Sequence, residues 1–373
     1  MNDDKESEGG NTVANQQQLL VFAGSYAERE NSGVYVYRLN EETLELDLLD
    51  EVSGLKNPTF LNVDASSGYL YSIAEGTSAE GGKTGEAVAF LFDAAQGKLT
   101  RVNENTTTAS PTCHIQRDPL DRYLIVVSYH GGMVGLMEIE EGGRIGRQLD
   151  VQQHEGHSVH KRQDCPHPHS TFFSPDGRYL FVQDLGLDII RTYTLDRENN
   201  KLVPHRDNRI HAGAGPRHLT FHPNGQFAFV INELDSTISS LRFDADTGAL
   251  NEIGSVSTLP DGFDGENTCA EVVISKDGRF LYGSNRGHDS LVVFAVDGDT
   301  GALSPIQHVT SGGGHPRHFA LAPSGRLIVA ANKDTNNIAL FRVDPESGRL
   351  EYTGRSTEVS QPVCVQPVYV PVS

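Results

Sequence analysis

Apolar residues in this chain fall in short alternating runs, each roughly five residues long, separated by turns rich in Gly, Asp and Asn. Alternation with a period of two predicts strands with one buried face. No segment combines a helical apolar period with capping residues at its ends. The pattern also recurs. SPDGRYLFVQDLGLDIIRTYTLD from Ser174, HPNGQFAFVINELDSTISSLRFD from His222, SKDGRFLYGSNRGHDSLVVFAVD from Ser275 and APSGRLIVAANKDTNNIALFRVD from Ala322 share one plan. Each has a Gly turn, an apolar run, a polar break and a second alternating run. The turn glycines Gly177, Gly225, Gly278 and Gly325 are 48, 53 and 47 residues apart. Looser copies begin at Asp64 and Asp118, and a copy from Leu19 lacks its first strand.

A period of about 40–50 residues with several short strands in each copy is the signature of propeller blades. Each repeat supplies a Pro-led strand A, strand B after the turn, strand C and a weaker outer strand D. The C-terminal QPVCVQPVYV begins like a strand A, which the first copy lacks. The expected fold is therefore all-β: a seven-bladed β-propeller of four-stranded antiparallel blades, with the first blade closed by the C-terminal strand. Closure pairs the terminal strands and removes exposed edges. Residues 1–18 read as a disordered polar tail and 19–373 as one domain, with residues 19–53 and 360–372 forming the closing blade.

In an antiparallel blade the start of strand A and the end of strand B share a rim, and strand A is innermost. Strand-A starts align as Thr59, Cys113, His169, Arg217, Ala270, Arg317 and Val363. The following positions are Phe60, His114, Ser170, His218, Glu271, His318 and Cys364. Strand-B ends align as Tyr26, Glu75, Tyr129, Leu185, Glu233, Arg286 and Lys333. Adjacent strand residues point to opposite sides, so one of each neighbouring pair is expected in the channel. Polar groups at a channel mouth often only satisfy strand ends. Several Arg, His and Glu side chains converging on one rim form instead a pocket suited to holding an anion and moving protons.

Charge narrows the partners. With 30 Lys plus Arg against 50 Asp plus Glu, the formal net charge is -20, which repels nucleic acid. No apolar run is long enough for a membrane helix. The absence of Trp excludes the Trp-Asp blade signature but not the propeller. Cys113, Cys165, Cys269 and Cys364 form no Cys-x-x-Cys pair, and the N-terminus lacks a signal-peptide pattern. These features predict a cytoplasmic protein with free thiols; the oligomeric state stays open. The His-rich tract 152–169 is expected to form a lid or channel wall rather than a metal site, and the Gly-rich loop 76–87 a flexible pocket edge. No GxSxG elbow is present, and Cys113 has no evident base.

NPTFL (57–61), SPTCH (110–114), SYHGG (128–132), HKRQDCPHPH (160–169), DLGLD (184–188), GAGPRH (213–218), NEL (232–234), SNRGHDS (284–290), HPRHF (315–319) and PVCV (362–365) resemble the seven-bladed propeller lactonases. Within that family the chain is similar to cytoplasmic bacterial 6-phosphogluconolactonases. The resemblance spans about residues 19–370. It departs from the family pattern at the turn around Leu120, which lacks its Gly, and in the His-richness of 152–166. Related members act on carboxymuconolactones through a His, an Arg, a Glu and a second Arg, matching His169, Arg217, Glu233 and Arg286 here. The resemblance implies hydrolysis of a small phosphorylated sugar lactone without cofactor or metal. His169 or Glu233 would activate water and Arg217 would polarise the carbonyl. Arg286 and Arg317, with His130 or His167, would hold the phosphate, and Glu75 and His218 would complete the lining. A carboxymuconate-type cycloisomerase or other sugar lactonase is the alternative within the class, and a non-enzymatic binding scaffold the alternative outside it.

Overall fold

The structure is a computed structural model that describes residues 17–372. It contains seven antiparallel four-stranded sheets. Six are continuous in sequence: 61–108 (blade 2), 114–153 (blade 3), 168–209 (blade 4), 216–257 (blade 5), 268–310 (blade 6) and 316–358 (blade 7). Blade 1 joins both ends of the chain. Its inner strand, Pro362–Pro371, pairs with Gln17–Ser25 from Gln17↔Pro371 to Ser25↔Pro362. The inner strands of successive blades pack side by side around the ring, and Pro316–Leu321 meets Pro362–Pro371 to close it. The expected fold and closure are both present. The first strand starts at Gln17, two residues earlier than the sequence reading placed it. The rest of the expected tail lies outside the described residues.

The turns explain the repeat. Gly177, Gly225, Gly278 and Gly325 all have positive φ, the left-handed region that costs glycine least. The turn at Leu120 manages without glycine because Asp121 takes the left-handed place at φ 54°, while Asp118 accepts the N–H groups of Arg122 and Tyr123. Between blades the alternating apolar faces pack on each other. Tyr179 and Phe181 of blade 4, for example, pack with Leu219, Val230 and Leu241 of blade 5. The only helical element among the described residues is one 3-10 turn, Glu141–Gly143. No helix there is long and apolar enough to cross a membrane.

Candidate active site at the channel mouth

The aligned strand ends meet at one mouth of the central channel, around a cavity of about 410 Å³. Eight of the nine candidate site residues line it: His169, Arg217, Glu233, Arg286, Arg317, His130, Glu75 and His218. The expectation that only one of each adjacent strand-A pair would enter the channel is overturned. Arg217 and His218 both line the cavity, as do Arg317 and His318. The cause is a repeated β-bulge. In blade 5, Pro216 pairs with Asn232 but His218 with Ile231, so Arg217 is an extra residue. The same shift isolates His169 between Pro168 and Ser170, and Arg317 between Pro316 and His318. A bulge breaks the alternation and re-aims side chains.

Glu233 organises one wall. Its carboxylate receives Arg217 Nε at 3.0 Å, Arg286 Nη2 at 2.8 Å and Arg162 Nη2 at 2.6 Å. Burial alone would raise its pKa, but Arg286, Arg217 and Arg162 outweigh burial and hold it well below the usual carboxylate range. Held by three guanidinium groups, Glu233 is a fixed anion and a poor proton acceptor. Burial, then Arg286 and Arg317, lower Arg217. Arg217 Nη1 donates to the Ala270 carbonyl at 2.7 Å, while Nη2 has no protein partner among the described residues. Arg286 Nη2 serves both Glu233 and the Cys269 carbonyl, while its Nε is buried with no hydrogen-bond partner.

His169 is different. It is 5% exposed, and its Nδ1 is buried with no hydrogen-bond partner. Burial, then Arg217, His218 and Arg317, push its pKa well below the ordinary imidazole value. It is a neutral imidazole with lone-pair capacity that no protein donor has claimed. Next to it lies a packed cluster, with the His218 ring 5.3 Å from that of His169. His218 and His318 both meet Glu271 Oε2, at 2.9 and 3.1 Å, and the Phe60 ring lies 4.1 Å from that of His114. Burial, then the Arg217 field, keeps His218 neutral as well. Cys113 lines the cavity, but burial pushes its thiol up to about 12, so it stays protonated.

Of the tract 152–169, Arg162 and His169 line the cavity, and the tract is pinned in place. His154 is buried between Asp184 Oδ2 at 2.6 Å and the Tyr193 hydroxyl at 2.8 Å. Asp188 accepts from Ser158 Oγ and Gln163 Nε2. His167 lies outside the cavity, correcting its expected role. Its Nδ1–H donates to the Tyr129 carbonyl at 2.9 Å and its ring stacks on Tyr129 at 4.2 Å, so it positions that side chain. Asp164, Cys165 and His167 bring ligand-type atoms within 4.8 Å of one another, the one such trio among the described residues. Two of the three are exposed. The Gly-rich segment 76–87 belongs to a regular hairpin, Tyr69–Thr77 with Lys83–Phe92, instead of a loose edge. Glu75 is anchored there by Asn57 Nδ2 at 2.8 Å and Lys83 at 3.5 Å.

Sequence reasoning missed Arg162. It sits in the connector 154–167, longer than the connectors between the other blades, so no alignment column contains it. Tyr129, which it contacts through Nη2, was in the strand-B column but not singled out.

A family model described as "Lactonase, 7-bladed beta-propeller" matches residues 20–367. The 6-phosphogluconolactonase of Bacillus subtilis (strain 168) is 33% identical over 347 residues, covering 93% of this chain and 97% of that protein. That of Formosa agariphila is 34% identical over 311 residues, covering 81% and 86%. The solved structure of a periplasmic gluconolactonase from Pseudomonas aeruginosa superposes with a TM-score of 0.88 at 31% identity, covering 95% of this chain and 100% of that one. The chain belongs to the seven-bladed β-propeller lactonase family. It is an enzyme that acts on lactones.

Proposed function

We propose that the enzyme hydrolyses 6-phospho-D-glucono-1,5-lactone to 6-phospho-D-gluconate, the lactone-opening step of the oxidative pentose phosphate route. The observation that carries this reading is a neutral, unpartnered His169 in a cavity walled by arginines. Water bound beside His169 attacks the lactone carbonyl and gives its proton to the imidazole. Arg217, through its uncommitted Nη2, holds the developing oxyanion. The tetrahedral adduct then collapses: the bond from carbon 1 to the ring oxygen breaks, and the imidazolium returns the proton to that oxygen. One positioned base contributes about 10²–10⁴-fold, enough for an ester that already opens slowly in water.

The electrostatics favour an anionic substrate. Arg162, Arg217 and Arg286 share the single carboxylate of Glu233, leaving this wall positive. That field opposes formation of an imidazolium at His169. A bound anion offsets the field and raises the basicity of His169, so the correct substrate improves its own base. The test is turnover of lactone freshly generated by glucose-6-phosphate dehydrogenase, corrected for spontaneous opening. The reading expects opening well above the uncatalysed rate; a rate equal to it overturns the reading.

A further inference from the structure

We propose that a second cavity beside the first, walled by Tyr26, His315, Arg317 and Lys333, is the phosphate subsite and selects phosphorylated over unphosphorylated sugar lactones. This deepens the lactonase reading and rests on it. The outer cavity is about 550 Å³ and shares Tyr26, Asn57 and Arg317 with the inner one, so one ligand can span both. In a 6-phosphorylated 1,5-lactone the reacting carbonyl carbon and C5 flank the ring oxygen, and the phosphate extends outward from C5 on the exocyclic C6. A substrate with its carbonyl in the inner cavity therefore needs an anion site that adjoins it, as a cavity sharing Tyr26, Asn57 and Arg317 does.

The outer cations are less committed than the inner ones. Arg317 has no carboxylate within ion-pair distance among the described residues; its guanidinium lies 5.9 Å from the centre of the Tyr26 ring, and Lys333 Nζ lies 5.8 Å from it. Among the described residues Lys333 pairs with Asp334 alone, at 3.1 Å, a half-exposed contact of the kind that contributes little, and Asp334 also meets His315 Nδ1 at 3.4 Å. Glu28, the carboxylate that lines this cavity, is taken by Lys56 at 2.9 Å. His315 is held at φ 60° by its N–H to Asp289 Oδ1 at 2.8 Å, while its carbonyl accepts from Lys333 N at 3.1 Å. Its Nε2 is buried with no partner. Burial, then Arg286, pushes His315 down to about 4 against the pull of Asp334, with Lys333 and Arg317 adding to the shift, as a net positive field requires. A planar fork, a point charge and an imidazole around one space suit the several acceptor oxygens of a phosphate dianion.

The test compares kcat/KM for fresh 6-phosphogluconolactone and for glucono-1,5-lactone in the whole protein, and calorimetric binding of 6-phosphogluconate and gluconate. The readout is the ratio between the phosphorylated and unphosphorylated ligand. Lys333→Gln should lower that ratio about 10-fold and Arg317→Gln with Lys333→Gln about 100-fold, through lost charge-assisted contacts. Lys333→Arg should restore most of it. A ratio unchanged within about twofold in both variants overturns the subsite, as does wild-type protein that binds both acids equally. If the wild type opens neither lactone, the proposed activity fails, and the binding ratio still decides the subsite.

Discussion

Two sides of one channel mouth carry arginine in opposite states. On the wall made by blades 5 and 6, Arg217 and Arg286 are 2% and 7% exposed and locked to Glu233. On the wall made by blades 7 and 1, Arg317 and Lys333 stand partly open over Tyr26 with little or no counter-charge. The same residue type serves two purposes. Buried and paired, an arginine is fixed geometry that can meet charge as it develops. Half-exposed and unpaired, it attracts an anion that arrives with its own charge. Composition alone does not separate the two states. The distribution of carboxylates does.

The comparison breaks most visibly at Glu233. Glu233→Ala leaves buried guanidinium groups uncompensated and should destabilise the fold by about 3–5 kcal/mol, measured by urea unfolding. Losing less than about 1 kcal/mol would mean that the paired wall is no more coupled than an exposed one. Arg162 sharpens the contrast, because it reaches the same carboxylate from a side chain that is 40% exposed. Arg162→Gln should cost less than about 1 kcal/mol of stability, yet reduce kcat/KM several-fold.

Acid should act on the buried side. His114, His169 and His218 are held well below their ordinary value, first by burial, and His318 down to about 4. Below about pH 6.5 the unfolded chain binds protons at these positions that the folded chain refuses. Their contribution is therefore complete above that pH and is lost as pH falls toward 4. Glu271, raised by burial, opposes the trend only near its own range. Melting temperatures at pH 7.5, 6 and 5 should fall in that order, and His114→Phe should flatten the slope; an unchanged slope would remove His114 from the account. The smallest effect concerns the open side. Added salt should raise KM for the phosphorylated lactone while leaving kcat nearly constant, because half-exposed cations are screened.

Much of this was legible in the chain. The spacing of Gly177, Gly225, Gly278 and Gly325 counted blades, and the PVCV strand announced closure. Aligning strand ends found fourteen of the cavity residues, among them seven of the eight site candidates that line it, because a repeat puts equivalent positions on one rim. The bulges were hidden, since strict alternation was assumed; the Pro-x-His spelling at Pro216–His218 and Pro316–His318 was their only trace. The acid–base assignment was also hidden. Glu233 becomes a poor proton acceptor because Arg162, Arg217 and Arg286 reach it from three different parts of the chain.

The most direct test is single-turnover and steady-state opening of fresh 6-phosphogluconolactone by His169→Asn, which leaves the Glu233 cluster intact. The account predicts that kcat falls about 10²–10⁴-fold while KM changes little. Wild-type kcat in this variant would show that proton transfer does not pass through His169.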